Sequence, residues 1–312
     1  MRMSSRVVLF GLVAMLATAI GCAEGPSGEQ GRAVQALESL GPAQVDLDEQ
    51  ENVIGLQFNS TQMNDQAAEH LAGLTELRRL NLRQSGVTDN ALKHIATLRY
   101  LKSLFLDETA VTGEGLSQLS ACEDLQELTL IGCPVTDGTA AAIGQLVTLR
   151  LLDLSKTKIT DQALPGLASL AGLEALYLKQ TTLTGQGIAT LKPLTRLTLI
   201  DLSGIPVNQD TIDTLASFPE LDRLYLGQSA LGDDLIASLV DTLIRHNSKV
   251  RGIALPDVPL TDASVASLKR LKELPELALV DIRYTKISRD AYRELTQAVP
   301  EVNFTADYPI ED

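Results

Sequence analysis

Asp153, Tyr177, Asp201 and Tyr225 follow one another at intervals of 24 residues, so acids and aromatic rings alternate in the chain. Paired carboxylates can hydrolyse a glycosidic bond, and aromatic rings can stack on a ligand. If these residues stand on neighbouring parallel strands, Asp153 and Asp201 are about 9.6 Å apart. A retaining glycosidase needs roughly 5 Å, and this separation only touches the upper edge of the inverting range. We therefore predict a binding surface rather than an enzyme and assign no catalytic residue.

Other reactive side chains fall at positions that suggest structural roles. His70 and His94 stand at the same place in consecutive segments, and no third ligand accompanies them, so we predict no metal site. Cys122 and Cys133 are predicted to be buried thiols that behave as small hydrophobic residues. The sequence contains no glycine-rich phosphate loop, no HExxH and no nucleophile elbow, and we expect no cofactor.

The composition narrows the class of protein. The 312 residues include 40 acidic and 26 basic side chains, a formal charge of −14, and 45% apolar residues. That apolar fraction can build a core, which excludes wholesale disorder. Binding to phosphate backbones depends on clustered Lys and Arg, so the acidic balance excludes a nucleic-acid partner.

A short motif of apolar residues is repeated through most of the chain. Its first, fourth and sixth positions are apolar in ten successive segments, and the first eight segments begin 24 residues apart. The first positions are Val53, Leu77, Leu101, Leu125, Leu149, Leu173, Leu197, Leu221, Val250 and Leu277. The alternation at the fourth and sixth positions predicts a strand with one buried face. Apolar spacing such as Leu92, Ile95 and Leu98 predicts a short helix after each strand.

The L-x-x-L-x-L phrase resembles the leucine-rich repeat family over about residues 53–304. Second halves such as VTDNALKHIATL from Val87 are similar to the helix-bearing 24-residue variety. The resemblance implies an α/β solenoid, a right-handed horseshoe with a parallel inner sheet and outer helices. Triplets such as Val87, Thr88 and Asp89 provide a Thr to cap each helix and an acid in its first turn, so we predict that the Asp column is structural. At the ninth position, where many such repeats have Asn, this chain mostly has Thr or Ser, whose hydroxyls can bond to the backbone at the turn.

The third, fifth and seventh positions of the segments point away from the predicted core, and we call them the outward sheet face. Rigid tyrosines beside charged groups suit a recognition surface. The ligand-binding residues that we predict on this concave face are Arg79, Arg83, Phe105, Asp107, Glu127, Asp153, Tyr177, Lys179, Asp201, Arg223 and Tyr225. The alternative is that pairs such as Arg83 and Asp107 merely satisfy one another across strands.

The N-terminus has the layout of a signal peptide, with basic residues followed by the uncharged run Val7–Ile20. The stretch Ala19, Ile20, Gly21, Cys22 resembles the lipobox of bacterial lipoproteins, in which the Cys is lipidated and becomes the new N-terminus. The resemblance implies lipidation at Cys22, and Ala23 after it implies transfer to the outer membrane. The alternative is an ordinary secretory signal with an incidental Cys. We predict a lipid anchor in the cell envelope, with the membrane face undetermined.

The remaining boundaries follow from local composition. We predict a signal peptide over 1–21, a lipidated Cys and flexible tether over 22–31, a helix and hairpin cap over 32–52, repeats over 53–304 and an acidic tail over 305–312. The segment that begins at Leu221 is longer than the others, and the spacing of Leu235, Leu239 and Leu243 favours a helix with one extra turn over a docking feature. Val302 and Phe304 predict a last strand.

The family resemblance implies a non-enzymatic, lipid-anchored envelope protein that binds a protein partner through the concave face. The alternative is a glycan or cell-wall binding module. In that case Phe105, Tyr177 and Tyr225 would stack on sugar rings, and Asp153 and Asp201 would accept hydroxyl protons.

Overall fold

The computed structural model describes residues 6–9, 28–41, 43–58 and 60–307, and the chain forms two compact units, residues 1–153 and 154–312. Most of the predicted signal peptide, Cys22 and the end of the acidic tail lie outside the described residues. No helix in the described ranges is both long and apolar enough to cross a membrane.

The first unit is built on short strands that pair in chain order. They are β1 (Arg6–Leu9), β2 (Ala43–Leu47), β3 (Val53–Phe58), β4 (Arg79–Asn81), β5 (Ser103–Phe105), β6 (Glu127–Thr129) and β7 (Leu151–Asp153). The pairs β1–β2 and β2–β3 are antiparallel, and every later pair from β3 to β7 is parallel. The predicted hairpin of the cap is therefore β2 and β3.

The second unit repeats the parallel arrangement. Its strands are β8 (Ala175–Tyr177), β9 (Leu199–Asp201), β10 (Arg223–Tyr225), β11 (Gly252–Ala254), β12 (Leu279–Asp281) and β13 (Asn303–Thr305). Each pairs in parallel with the next. Val302 and Phe304 are buried, and the predicted last strand is confirmed.

Helical segments connect the strands within each unit. The α-helices are α1 (Gly28–Glu38), α2 (Asp65–Ala68), α3 (Asp89–Ile95), α4 (Ala140–Ile143), α5 (Leu164–Leu167), α6 (Gln209–Ala216), α7 (Asp233–Arg245), α8 (Val265–Leu268) and α9 (Arg289–Ala298). Shorter 3-10 helices cover 69–73, 116–121, 137–139, 161–163, 188–191, 262–264 and 269–273. The 13-residue α7 matches the extra turn predicted for the long segment.

The apolar columns form the core of both units. Every residue at the first, fourth and sixth positions of the ten segments is at most 5% exposed. Leu92, Ile95 and Leu98 are also fully buried, so the helical half of the repeat packs onto its strand as predicted. The predicted class, an α/β leucine-rich-repeat solenoid with parallel strands, is confirmed.

The cap helix α1 begins at Gly28, four residues before the predicted start at Arg32. The added turn is fixed by Gln30, whose side chain donates to the carbonyl of Glu51 and accepts from the backbone N–H of Val53. These two bonds tie the helix to the hairpin, so residues 28–31 belong to the cap rather than to the tether that we predicted.

Two segments replace the predicted α-helix with a 3-10 helix, over Leu116–Ala121 and Ile188–Leu191. Each follows a pair of glycines, Gly113 and Gly115 or Gly185 and Gly187, and glycine disfavours an α-helix because it loses more backbone entropy.

Candidate functional site

The outward sheet face of the second unit carries the alternating row that the sequence predicted. Tyr177 lies opposite Asp201, Asp201 opposite Tyr225, Tyr225 opposite Ala254, and Ala254 opposite Asp281. All five are partly exposed. The register therefore places one tyrosine on each side of Asp201, on neighbouring strands about 4.8 Å apart.

The first unit has the corresponding row Gln57, Asn81, Phe105, Thr129 and Asp153. The side chains of this row are less exposed to solvent than those in the second unit, since Asn81, Phe105 and Thr129 are each at most 7% exposed. The half-buried Glu127 stands on β6, two residues before Thr129.

Phe105 is the centre of a cation–π cluster. The Arg83 guanidinium carbon lies 4.7 Å from the ring centroid and that of Arg79 lies 5.4 Å away. Arg83 also forms an ion pair with Asp107, which in addition accepts a 3.0 Å hydrogen bond from the N–H of Ile131. Four predicted site residues therefore come together and satisfy one another. The expectation that Phe105 is an open platform for a sugar ring is not met, because two arginines and the sheet cover the ring.

Acidic and amide side chains at the fifth position also accept a hydrogen bond from the backbone two residues later. Oδ1 of Asp201 accepts the N–H of Ser203 at 2.9 Å, and Asn81 and Asp281 accept from Arg83 and Arg283 in the same way. Such side-chain turns compete with continued strand pairing. Asp201 therefore helps to end its strand while part of the side chain faces solvent.

The second unit contains a groove over the strand β11. Its volume is about 470 Å³, within the usual range for ligand pockets. Gly252 and Ala254 form the floor because they are small. In register on either side stand the larger side chains Arg223 and Tyr225 on β10, and Leu279 and Asp281 on β12. Asp222, Leu224, Arg251, Ile253 and Ala278 complete the lining.

Two bidentate ion pairs fix charges at this groove. Arg251 donates from Nε and Nη2 to the two Asp222 carboxylate oxygens at 2.5 and 2.8 Å, and Arg283 holds Asp281 at 2.9 and 2.7 Å. The hydrogen bond from Arg251 lowers the pKa of Asp222. Burial alone would raise the pKa of Asp281, but the hydrogen bonds from Arg283 outweigh it and the pKa is lowered. Asp222 and Asp281 are therefore ionised carboxylates, and each is held in place by two hydrogen bonds from an arginine.

The Asp column at the helix starts is structural, as predicted. Asp89 accepts the N–H and hydroxyl of Thr112 at 2.9 and 2.7 Å, and the N–H groups of Gly113 and Gly115 at 3.0 and 3.2 Å. The equivalent acid-to-next-repeat bonds are Asp65 to Thr88, Asp161 to Thr184, Asp233 to Thr261 and Asp262 to Ser288. Each acid thus ties one repeat to the next, a role that the sequence argument from the helix dipole did not anticipate.

Five of the ninth-position hydroxyls bond to the backbone, as the sequence suggested, whereas the buried hydroxyl of Ser85 has no hydrogen-bond partner among the described residues. Thr109, Thr157, Thr181, Ser229 and Thr285 each donate to the carbonyl three residues earlier, at 2.6–2.9 Å. These bonds close the turns that follow the five corresponding strands.

The thiols and imidazoles lie away from the outward sheet face. Cys122 and Cys133 are each 1% exposed and free, as predicted. Burial raises the pKa of Cys122 to about 11, and it also raises the pKa of Cys133. His70 and His94 lie in helical segments, and the described part of the chain contains no group of acids, histidines or cysteines that could hold a metal ion.

Sequence reasoning named Arg223 and Tyr225 but missed the rest of the groove around them. Asp222 and Arg251 stand at the second position of their segments, which the periodic pattern did not assign to any surface. The signal that could have located the groove was the pair Gly252 and Ala254, two small residues at outward positions between segments with large ones. Lys179 lies just beyond β8 and is half-buried, outside the groove lining.

Comparisons with known proteins found similar chains only among solved structures. No protein-family model matches the chain, and no curated protein matches it. Among solved structures, an internalin F from Listeria monocytogenes is similar at 14% identity with a TM-score of 0.50, covering 91% of this chain and 94% of that one. An internalin C2 from the same organism is similar at 22% identity with a TM-score of 0.46, covering 77% and 83%.

Proposed function

We propose that this chain is a non-enzymatic binding module that recognises a protein partner through the outward sheet face of its second unit. The observation that carries the proposal is the groove over β11. It combines a partly exposed aromatic ring, Tyr225, an exposed aliphatic side chain, Leu279, and an exposed guanidinium, Arg223. Tyrosine and arginine are the residues most often responsible for binding energy at protein interfaces.

The remaining polar groups support recognition rather than chemistry. Asp222 and Asp281 are each held by an arginine, and Asp201 holds a backbone turn. These carboxylates hold fixed positions in the sheet, which suits an interface that must keep one shape. Tyr177 and Tyr225 extend the contact surface across three neighbouring strands.

Crosslinking in intact cells tests this proposal. A photoreactive residue at Tyr177 should capture a defined protein partner, which mass spectrometry identifies. The matched control is the same probe at Tyr100, which is 51% exposed in a turn outside the sheet. Equal capture at both positions, or capture at Tyr100 alone, would contradict the proposal.

A glycan ligand is the second candidate, and the observation that favours it is Asp201 between two partly exposed tyrosines in register. Rings of this kind can stack on sugars while a carboxylate accepts hydroxyl protons. Binding to purified wall polysaccharide that Tyr177→Ala abolishes, with no protein captured in cells, would favour this reading. Phe105 does not take part in it, because Arg79 and Arg83 cover that ring.

We also propose that the module is held in the cell envelope, at the outer membrane, by lipid attached to Cys22. The support is the apolar run Val7–Ile20 followed directly by Gly21 and Cys22. Metabolic labelling with a fatty acid should mark the wild-type chain and leave Cys22→Ser unlabelled, with Cys122→Ser as the control that keeps its label. Label retained in Cys22→Ser would show that the anchor is wrongly placed.

A further inference from the structure

Three arginines surround the groove over β11, and within the described ranges only two of them form hydrogen bonds with a carboxylate. Arg251 and Asp222 are joined by two hydrogen bonds, and so are Arg283 and Asp281. The nearest ion-pair contact of Arg223 is 3.8 Å, from its Nε to an oxygen of Asp222, which is too long for a hydrogen bond. The Arg223 side chain is 61% exposed, and no other ion pair engages it in the described part of the chain. Its guanidinium fork is therefore open to a ligand.

The part of the groove beside this guanidinium is apolar. Tyr225 stands two residues beyond Arg223 on β10, and in register Arg223 and Leu279, 44% exposed, flank Gly252. Between them a Cβ atom built on Gly252 would meet nothing within 4 Å, so the floor is open at that point. The walls stand on strands two apart, about 9.6 Å, which leaves room for one side chain between them.

We propose that this groove binds an acidic–aliphatic peptide segment of the protein partner. The ligand carboxylate binds the Arg223 fork, and an aliphatic side chain two residues away lies over the small floor residues beside Tyr225, on the diagonal between Tyr225 and Leu279. Residues two apart in an extended peptide point to the same side, as Arg223 and Tyr225 do on β10, so a peptide that runs along this strand can reach both. This inference rests on the proposed function and adds the chemistry of the partner to it.

Charge complementarity selects an acidic ligand over a basic one. A planar guanidinium matches a carboxylate with two parallel hydrogen bonds. A basic ligand would have to compete with Arg251 and Arg283 for carboxylates that are already bonded twice. Glu276 acts on Arg251 from a greater distance and forms no ion pair with Arg223 in the described part of the chain.

Titration of defined peptides with the full chain tests this inference. The probes are a fluorescein-labelled Gly-Glu-Gly-Leu-Gly peptide and its analogue with Gln in place of Glu, followed by fluorescence anisotropy. We expect the Gln peptide to bind about tenfold more weakly, because a charge-assisted bidentate contact is lost. Arg223→Gln should weaken the Glu peptide by a similar factor and leave the Gln peptide unchanged.

A groove-filling variant checks the location. Gly252→Ile should abolish binding of both peptides while thermal unfolding is unchanged or slightly raised, because the space is open and β-branched residues suit strands. Arg293→Gln, the same change on α9 of the second unit, is the matched control and should bind like the wild type.

Three results would overturn the inference: equal affinity for the Glu and Gln peptides, full binding by Arg223→Gln, or full binding by Gly252→Ile. Binding of a soluble cell-wall oligosaccharide that Gly252→Ile abolishes, with no peptide binding, would also overturn it and assign the groove to a glycan. If neither peptide binds while a partner is crosslinked at Tyr177, the inference fails and the proposed function stands. If the peptides behave as expected but no partner is captured at Tyr177, the proposed function fails in cells.

Discussion

At the scale of single residues, acids at five of the helix starts each hold one repeat to the next. Asp89 accepts four hydrogen bonds from the following segment, and Asp161 accepts three. Burial would raise the pKa of each carboxyl, but the hydrogen bonds from Thr112, Thr184 and neighbouring glycines outweigh it, so both pKa values are lowered.

These lowered pKa values predict loss of stability in acid. A carboxyl whose pKa is lower in the folded state stabilises the fold above its unfolded pKa, about 3.9 for Asp, and loses that contribution as the pH falls through the folded pKa. Urea unfolding from pH 7 down to pH 2 should show a smaller acid-dependent loss for Asp161→Asn than for the wild type. At pH 7 the same variant should lose about 1–3 kcal/mol. Asp124→Asn, in an exposed turn, is the control, and an identical pH profile for both variants would refute the role of Asp161.

Two neighbouring repeats approach each other so closely at Gly187 that only glycine fits there without a shift. A Cβ atom at Gly187 would lie 2.8 Å from Cβ and 3.0 Å from the carbonyl oxygen of Asp161. Gly187→Ala should therefore cost about 1–3 kcal/mol, because backbone must move. Gly252→Ala is the matched control, with nothing within 4 Å, and should be neutral or slightly stabilising in its strand. Equal unfolding midpoints for the two variants would contradict this account.

At the scale of elements, the strands β4 to β13 are each three residues long, and their stability comes from the apolar columns. Leu154 is fully buried, whereas Leu279 is 44% exposed on the outward sheet face. Leu154→Ala should lower the free energy of unfolding by about 2–5 kcal/mol, while Leu279→Ala should change it by about 0.5 kcal/mol or less. Chemical denaturation of both variants measures the difference, and similar costs would mean that the core is misassigned.

The same elements show how far sequence reasoning extends. The strands, their registers and the buried thiols followed from period and hydrophobicity, because a repeated Leu can be buried on only one side of a strand. The packing of Arg79 and Arg83 over the Phe105 ring could not be predicted from the sequence. The contacts of a long side chain depend on which groups surround it in the folded structure. The groove also escaped prediction: Gly252 and Ala254 could be read from the sequence, but its depth depends on Tyr225 and Leu279 across neighbouring strands.

At the scale of the whole molecule, charge decides how the chain can be held to a membrane. Removal of residues 1–21 would take away two arginines and no acid, leaving a charge of −16. Anionic headgroups repel such a surface, so in the proposed arrangement the attachment comes from the lipid at Cys22 and not from the protein surface. Washing membranes with concentrated salt should release none of the wild-type protein, whereas Cys22→Ser should appear in the soluble fraction. Release of the wild type by salt would indicate an electrostatic attachment instead.

We propose that a partner covers the outward sheet face of the second unit in the cell. Hydroxyl-radical footprinting measures it directly by comparing side-chain oxidation in intact cells with that of the purified chain. We expect Tyr225 and Leu279 to be oxidised several-fold less in cells, while Tyr100 and Val147, exposed outside the sheet, are oxidised equally in both. Equal oxidation of Tyr225 and Leu279 in the two samples would show that this face is not covered.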